Sequence, residues 1–508
     1  MNHLFDEIRA AAPSGAATCI ETHDGLRLSY GDMLALAARF AGALVACGVA
    51  PGDRVAAQVD KSVEALMLYL GTVRAGAVFL PLNPAYTSAE LAYFFDDAEP
   101  RLVVCAPGRE TEIAAITTTP VETLGRAGDG SLMALVAAAP PDFADVPRGA
   151  EDLAAILYTS GTTGRSKGAM LTHENLASNA RTLVAYWRFT RSDVLIHALP
   201  IFHTHGLFVA TNTLLLAGGA MILLPHFDPG EVLAAMPRAT SFMGVPTFYV
   251  RLLQHPGLTR AATAHMRLFV SGSAPLLAET HAAFAARTGH AILERYGMTE
   301  TNMNTSNPYD GERIAGTVGH PLPGVELRIV EPETAMPLGP GEIGMIEVRG
   351  PNVCQGYWRM PEKTRAEFRV DGFFITGDLG LIDERGYVRL VGRGKDLIIS
   401  GGFNVYPKEV EGEIDAIAGV VESAVIGVPH PDFGEGVTAV VVPAAGAALA
   451  EAAVIAALAD RLARYKQPKR VLFVDELPRT AMGKVQKNVL RERYGGIYVD
   501  QPPALAKG

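Results

Sequence analysis

The sequence predicts an α/β protein: a large N-terminal domain of layered α/β sheets, a small β-rich subdomain, and a small α+β C-terminal domain. Three observations carry this expectation: strands and helices alternate through the first hundred residues, the texture changes near Gly316, and a mixed pattern returns beyond Lys395. Apolar residues recur at helical spacing from Leu34 to Cys47, and the glycines Gly48 and Gly52 break the run. A strand begins at Arg54, a helix is expected near Val63–Arg74, and Ala77-Val-Phe-Leu-Pro reads as the next strand. A helix near Ser88–Phe95 and the strand Leu102-Val-Val-Cys continue the alternation, which points to largely parallel sheets. Past Gly316 come short strands with Gly-Pro turns, Val325–Val330 and Gly344–Arg349, then a hairpin around Asp383–Gly386. An Ala-rich helix is predicted near Glu451–Tyr465, stopped by Pro468.

A chain of 508 residues is too long for one compact core and implies at least two domains. Its formal charge of −10 argues against nucleic acid or an anionic membrane as partner, so an anionic ligand must be met by local cations. Cys19, Cys47, Cys105 and Cys354 lie far apart, which suits a reducing compartment and gives no zinc or disulfide framework. The first residues, Met-Asn-His-Leu-Phe-Asp-Glu, do not read as a signal peptide. The apolar stretch Leu207–Leu224 is interrupted by Thr211, Asn212, Thr213 and the Gly218-Gly219 pair, so a buried helix and strand are expected rather than a membrane span. A cytoplasmic enzyme is the expectation.

The strongest local signal is Tyr158-Thr-Ser-Gly-Thr-Thr-Gly-Arg-Ser-Lys-Gly168, directly after the apolar strand Leu153–Leu157. Glycines, hydroxyls and two cations on one turn supply the backbone donors and positive charge that a polyphosphate needs. It is not a Walker A loop, because Ser166 precedes Lys167 and Gly168 stands where Ser or Thr belongs. Four further segments follow in order: Tyr296-Gly-Met-Thr-Glu300, Thr376-Gly-Asp378, Gly392-Arg-Gly-Lys-Asp396 and Pro478-Arg-Thr-Ala-Met-Gly-Lys484. Together they resemble the adenylate-forming superfamily of acyl-CoA synthetases, aryl-CoA ligases and luciferases, from Ser29-Tyr30 to about Arg491.

The resemblance implies an enzyme that uses ATP, Mg²⁺ and coenzyme A, with roles for matching residues. Thr159, Ser160, Gly161, Thr162, Thr163, Gly164 and Lys167 would handle the β- and γ-phosphates. Thr299 would donate to the α-phosphate, and Glu300 would hold Mg²⁺, a hard ion that takes few carboxylates beside phosphate oxygens. Gly272, Ser273, Ala274 and Pro275, with Tyr296, Gly297 and Met298, would line the nucleotide. Asp378 would grip the ribose hydroxyls, helped by Arg393; by itself it also reads as a turn-forming Asp after Gly377.

Lys484 is implied to reach the carboxylate and α-phosphate during adenylation, where a mobile point charge suits an in-line phosphoryl centre. Its accessible charge also makes it a candidate for regulation by a lysine acetylase. Lys487, three residues on, reads as a solvated lysine. Lys395 matches the family's hinge, which puts the domain boundary between residues 394 and 395 and makes the C-terminal domain mobile. Ser400, Gly401 and Gly402 would then face the pantetheine arm, where glycine admits close approach.

Many relatives carry Gly before Tyr-Gly-Met-Thr-Glu; this chain has Arg295, a fork of donors for a second carboxylate. In this, and in Leu293–Thr301 as a whole, it is similar to malonyl-CoA synthetases, which implies malonate and methylmalonate as substrates. The alternative is that Arg295 pairs with a protein carboxylate such as Glu294, although strand neighbours point to opposite faces. Arg251 is a second candidate cation, His205 of Phe202-His-Thr-His-Gly206 a candidate for the substrate carboxylate beside Ser273, and Met303 a candidate cap. A ligase for a short-chain monocarboxylate or fatty acid, or an enzyme loading a carrier protein, are the competing readings.

Overall fold

The computed structural model describes residues 1–159, 166–401, 403–459, 461–480 and 483–498. They fall into two compact units, residues 1–327 with 348–374 and residues 328–347 with 375–508.

The first unit contains two sheets. The six-stranded sheet runs in the order Val121–Thr123, Leu102–Cys105, Arg54–Gln58, Val78–Pro81, Leu153–Thr159, Lys167–Thr172. All neighbours are parallel except the last pair, whose antiparallel register sets Thr159 opposite Lys167. Val78–Pro81 and Leu102–Cys105 are buried at every position, as expected of parallel strands covered on both faces. The predicted helix at Val63–Arg74 starts where Ser62 accepts from the Ala65 amide. Thr87 and Glu90 form a capping box that starts the helix Ser88–Ala98.

The nine-stranded sheet has a parallel centre, Leu293–Met298, Leu268–Ser271, Ser241–Gly244, Val194–His197, Ala220–Leu223 and Thr18–Thr22, with antiparallel strands at both edges. Phe242, Tyr249, Phe269 and Phe284 pack beneath it in one core cluster. The apolar stretch between 207 and 224 forms the end of a π-helix (His205–Ala210), a helix (Thr211–Ala217) and the strand Ala220–Leu223, all within this unit. Among the described residues no helix is long and apolar enough to cross a membrane.

The second unit holds most of an antiparallel sheet ordered Glu326–Val330, Gly344–Arg349, Phe374–Ile382, Val388–Arg393. It also holds a five-stranded sheet built on the long hairpin Val420–His430 and Gly434–Pro443. The helix predicted over Glu451–Tyr465 is shorter, Glu451–Ala457. Val454, Leu458 and Leu462 keep helical spacing in the core, but the amides of Leu458, Ala459 and Arg461 bond three residues back, so the chain continues as turns. Lys487 is not a solvated lysine. It lies 2.5 Å from the buried carboxylate of Glu411, which also accepts from the Val425 amide at 2.9 Å.

Lys408 lies farther off, 3.9 Å from the other Glu411 oxygen, so loss of Lys487 leaves this buried carboxylate poorly compensated, which is strongly destabilising. Lys487→Met is expected to lower the unfolding free energy of the protein by about 3 kcal/mol in urea titrations.

Candidate active site

Met298 and Asn302 pair across an antiparallel turn, so Thr299, Glu300 and Thr301 form a short loop between the strands Leu293–Met298 and Asn302–Ser306. Asn302 closes the turn in the left-handed region at φ 50°, and its Oδ1 accepts from Thr204 Oγ1 at 2.9 Å. A side chain at Gly297 would meet the Asn302 carbonyl at 1.8 Å, so this glycine is required by the close approach. The turn buries Glu300, whose Oε1 accepts from the Tyr357 hydroxyl at 3.2 Å. A buried carboxylate facing a neutral donor fits a hard divalent cation such as Mg²⁺.

Arg295 lies on the strand that leads into this turn and is 3 % exposed. Its Nε and Nη2 have no hydrogen-bond partner, and among the described residues no carboxylate lies within ion-pair reach. Glu294 points elsewhere, accepting from the Leu276 amide at 3.1 Å, as the alternation of a strand demands. Burial lowers the guanidinium to about 9, opposed by the Tyr249 phenol, so it stays cationic at neutral pH. A Cβ on Gly272 would fall 2.4 Å from Arg295 Cζ; this glycine makes the room the guanidinium occupies.

Around that charge the groups are neutral. His205 is buried and held well below its ordinary pKa, first by burial and then by Arg295. Its Nδ1 lies 3.2 Å from Ser273 Oγ, its Nε2 is buried without a partner, and Ser273 itself sits at φ 70°. The π-helix that carries His205 is braced from behind: His197 Nε2 is 2.9 Å from the Gly206 carbonyl, and Lys61 Nζ reaches His197 Nδ1 at 2.9 Å. Met303 is 1 % exposed and its methyl would lie 2.7 Å from a Cβ on Gly297, so it packs over the strand beside this pocket. The expectation that Arg251 is a second pocket cation is corrected. On the helix Pro246–Gln254 the buried face is Tyr249 and Leu252, and Arg251 turns to the exposed face.

At the end of the phosphate-loop hairpin, Thr159 Oγ1 lies 3.5 Å from the Lys167 carbonyl. The Lys167 ammonium donates to both Glu367 oxygens, at 3.0 and 3.2 Å, and to the Tyr357 hydroxyl at 3.1 Å. Ser160, Gly161, Thr162, Thr163, Gly164 and, in the other unit, Gly402 lie outside the described residues. Tyr296 is buried, Met298 and Thr299 are half-buried, and Ala274 and Pro275 follow Ser273 in the loop after the strand Leu268–Ser271.

Within the second unit Asp378 and Arg393 face each other in register, with Oδ1 and Nε 2.7 Å apart. Thr376 fixes the turn, donating to the Ile346 carbonyl at 2.8 Å and accepting from the Asp378 amide at 3.0 Å. Lys395 lies in the short 3₁₀ turn Gly394–Asp396, and its pKa is lowered to about 8, chiefly by burial and also by Arg393, Lys484 and Arg491. Lys484 is exposed at the end of a turn in which its amide donates to Thr480 Oγ1 at 3.2 Å. Ser400 is buried and Gly401 stands at φ 59° with its amide on the Phe433 carbonyl at 2.8 Å.

Sequence reasoning missed Tyr249, Tyr357, Glu367, Lys61 and His197. Lys363 and Glu367 do carry a helical i,i+4 spacing, but Glu367 and Lys167 are 200 residues apart and nothing local links them.

The AMP-binding enzyme model matches residues 7–358, and the AMP-binding enzyme C-terminal domain matches residues 409–484. The chain belongs to the AMP-binding enzyme family. It is similar to ATP-bound MatB from Rhodopseudomonas palustris, with 65% identity, TM-score 0.97, and coverage of 98% of this chain and 99% of that one. A feruloyl-CoA synthase from an Amycolatopsis species is 39% identical over 96% of this chain and 98% of its own length. A malonate–CoA ligase from Arabidopsis thaliana is 33% identical over 97% and 90%. This AMP-binding enzyme is an AMP-forming acyl-CoA synthetase that uses ATP, CoA and a carboxylic acid.

Because Gly272 yields its Cβ space to the guanidinium, Gly272→Ala is expected to displace Arg295. Carboxylate-dependent AMP release should fall about 100-fold in kcat/KM, the scale of a 1 Å misplacement, with the unfolding transition little changed.

Proposed function

We propose that this acyl-CoA synthetase activates malonate, and with it methylmalonate, as the acyl-adenylate and transfers the acyl group to CoA, giving malonyl-CoA, AMP and pyrophosphate. The observation that carries this reading is Arg295, a buried guanidinium with two unpartnered nitrogens and no protein carboxylate in reach. Leaving a buried charge unpaired costs several kcal/mol, on the order of 3–5, and a substrate's distal carboxylate removes that penalty where acetate, a fatty acid or a cinnamic acid does not. The 33% identity to the Arabidopsis malonate–CoA ligase supports the same acid. The family alone does not choose it, since a feruloyl-CoA synthase is also a relative.

In this reading one carboxylate of malonate sits on Arg295, and the other is presented near His205, whose neutral ring donates without competing for a proton. That carboxylate attacks the α-phosphorus and pyrophosphate leaves. Thr299 and Lys484 stabilise the charge that develops, while Thr159 and Lys167 hold the departing phosphates. Glu300 would hold Mg²⁺, which when bound offsets phosphate charge. Gly272, Ser273, Ala274, Pro275, Tyr296, Gly297 and Met298 line the nucleotide, and Asp378 takes the ribose diol beside Arg393. A hinge at Lys395, dividing residues 1–394 from 395–508, then presents Ser400 and Gly401 to the pantetheine thiol. The sulfur attacks the acyl carbon and AMP departs. The exposure of Lys484 also leaves it open to an acetylase, which would remove the charge adenylation needs.

Two measurements test this. ATP- and CoA-dependent AMP release with malonate, methylmalonate, acetate and octanoate should show malonate preferred, and Arg295→Ala should lower kcat/KM for malonate by ~10⁴-fold without a matching loss on acetate. Faster turnover of acetate or octanoate by the wild type would overturn the substrate assignment. Lys395→Pro should leave pyrophosphate exchange largely intact and slow thioester formation by at least about tenfold relative to it. Equal loss of both half-reactions would exclude the hinge.

A further inference from the structure

The two cations assigned to anionic substrate groups differ in one respect. Among the described residues Arg295 has no carboxylate in ion-pair reach, whereas Lys167 has one. Its ammonium is held by both oxygens of Glu367, by the Tyr357 hydroxyl, and over the Tyr357 ring at 4.1 Å from the centroid. Two carboxylate oxygens satisfy the ammonium's donors as two oxygens of a phosphate would, with less charge.

We propose that Glu367 is an internal stand-in for the nucleotide's polyphosphate, a carboxylate that occupies Lys167 until the β- and γ-phosphates of ATP displace it. The proposal rests on Lys167 as the polyphosphate ligand. Three features fit displacement rather than a fixed structural pair. Glu367 is the last residue of the helix Pro361–Glu367, where the helix dipole disfavours a carboxylate, so helix stability does not account for its charge there. Lys363, one turn earlier, lies 2.7 Å from Glu367 and is 46% exposed, so Glu367 keeps a cation when Lys167 leaves. The Lys167–Glu367 pair is itself about one-fifth open to solvent, with side-chain exposures of 18% and 19%. Solvent thus reaches the pair, and a multivalent anion that enters there competes for the ammonium with more charge than one carboxylate carries.

Tyr357 ties the exchange to the rest of the site. Its hydroxyl accepts from Lys167 and faces two carboxylates, Glu300 Oε1 and Glu367 Oε2, but it has one proton to give. Burial and the two carboxylates push this phenol above its ordinary range, so it remains a donor. When Glu367 is released from Lys167, the same hydroxyl still links it to the Glu300 turn. Glu367 is thus a positioning residue: it keeps the lysine extended in the ligand-free enzyme and sets the threshold for polyphosphate entry.

The test compares three ligands by calorimetry at fixed Mg²⁺: ATP, inorganic pyrophosphate and AMP. Glu367→Gln removes the competing charge and is expected to tighten ATP and pyrophosphate by roughly three- to fivefold, with AMP unchanged because it carries no β- or γ-phosphate. In a Lys167→Ala background the same substitution should have no effect on any of the three. Glu367→Ala serves, with the same expectation, if the glutamine variant does not fold. Unchanged or weakened ATP binding in Glu367→Gln, or an equal change for AMP, would overturn the proposal. If Lys167→Ala alone leaves ATP binding intact, the assignment of Lys167 to the polyphosphate fails instead.

Discussion

A guanidinium at the end of a central parallel strand, closed off from water and given no protein carboxylate, governs the design of the first unit. Arg295 is 3% exposed, and burial lowers its pKa without removing its charge at neutral pH. The neighbouring elements are arranged to admit it. Gly272 has no side chain because one would collide with the guanidinium, and Tyr249 turns its helix so that a phenol, not Arg251, meets it. A charge kept unpaired at such expense is the ground for proposing that a ligand's complementary charge binds there.

Neutral groups complete the environment. His205 is depressed by burial and by Arg295 itself, which prevents a second positive charge beside the first. The π-helix that carries it is an irregular turn of the kind found at functional sites, and it is braced by hydrogen bonds. Lys61 and His197 supply these, both held well below their ordinary pKa by burial, with His197 seated on the Gly206 carbonyl. The proposed selectivity for a dicarboxylate rests on one cation in otherwise neutral surroundings, because a polar site left unsatisfied rejects an analogue far more sharply than a misfit methyl does.

The cation of the phosphate loop obeys a different rule. Lys167, proposed above as a ligand of the polyphosphate, is already saturated by Glu367 and Tyr357. In the second unit Lys487 is saturated permanently by buried Glu411, and Lys484, three residues away in sequence, is left exposed.

What the sequence determined by itself were the local elements and the ordered motifs. Val63–Arg74 and Gly344–Arg349 appear where periodicity puts them, since helix caps and strand alternation are encoded within a few residues. The motifs that carry Glu300, Asp378 and Arg393, and the anomaly of Arg295, were likewise legible from spacing and resemblance, whereas the turn at Thr299-Glu300 and the register of Asp378 with Arg393 were not. The helix after Glu451 was misjudged in length because apolar spacing survives a lapse from α to three-residue hydrogen bonding. Only the tertiary structure decided which charges are paired. It left Arg295 without a carboxylate, gave Lys167 to Glu367 across 200 residues, and turned Arg251 outward. Charge pairing depends on which distant segments the sheets bring together and how far water is excluded there, and neither quantity is local to the chain.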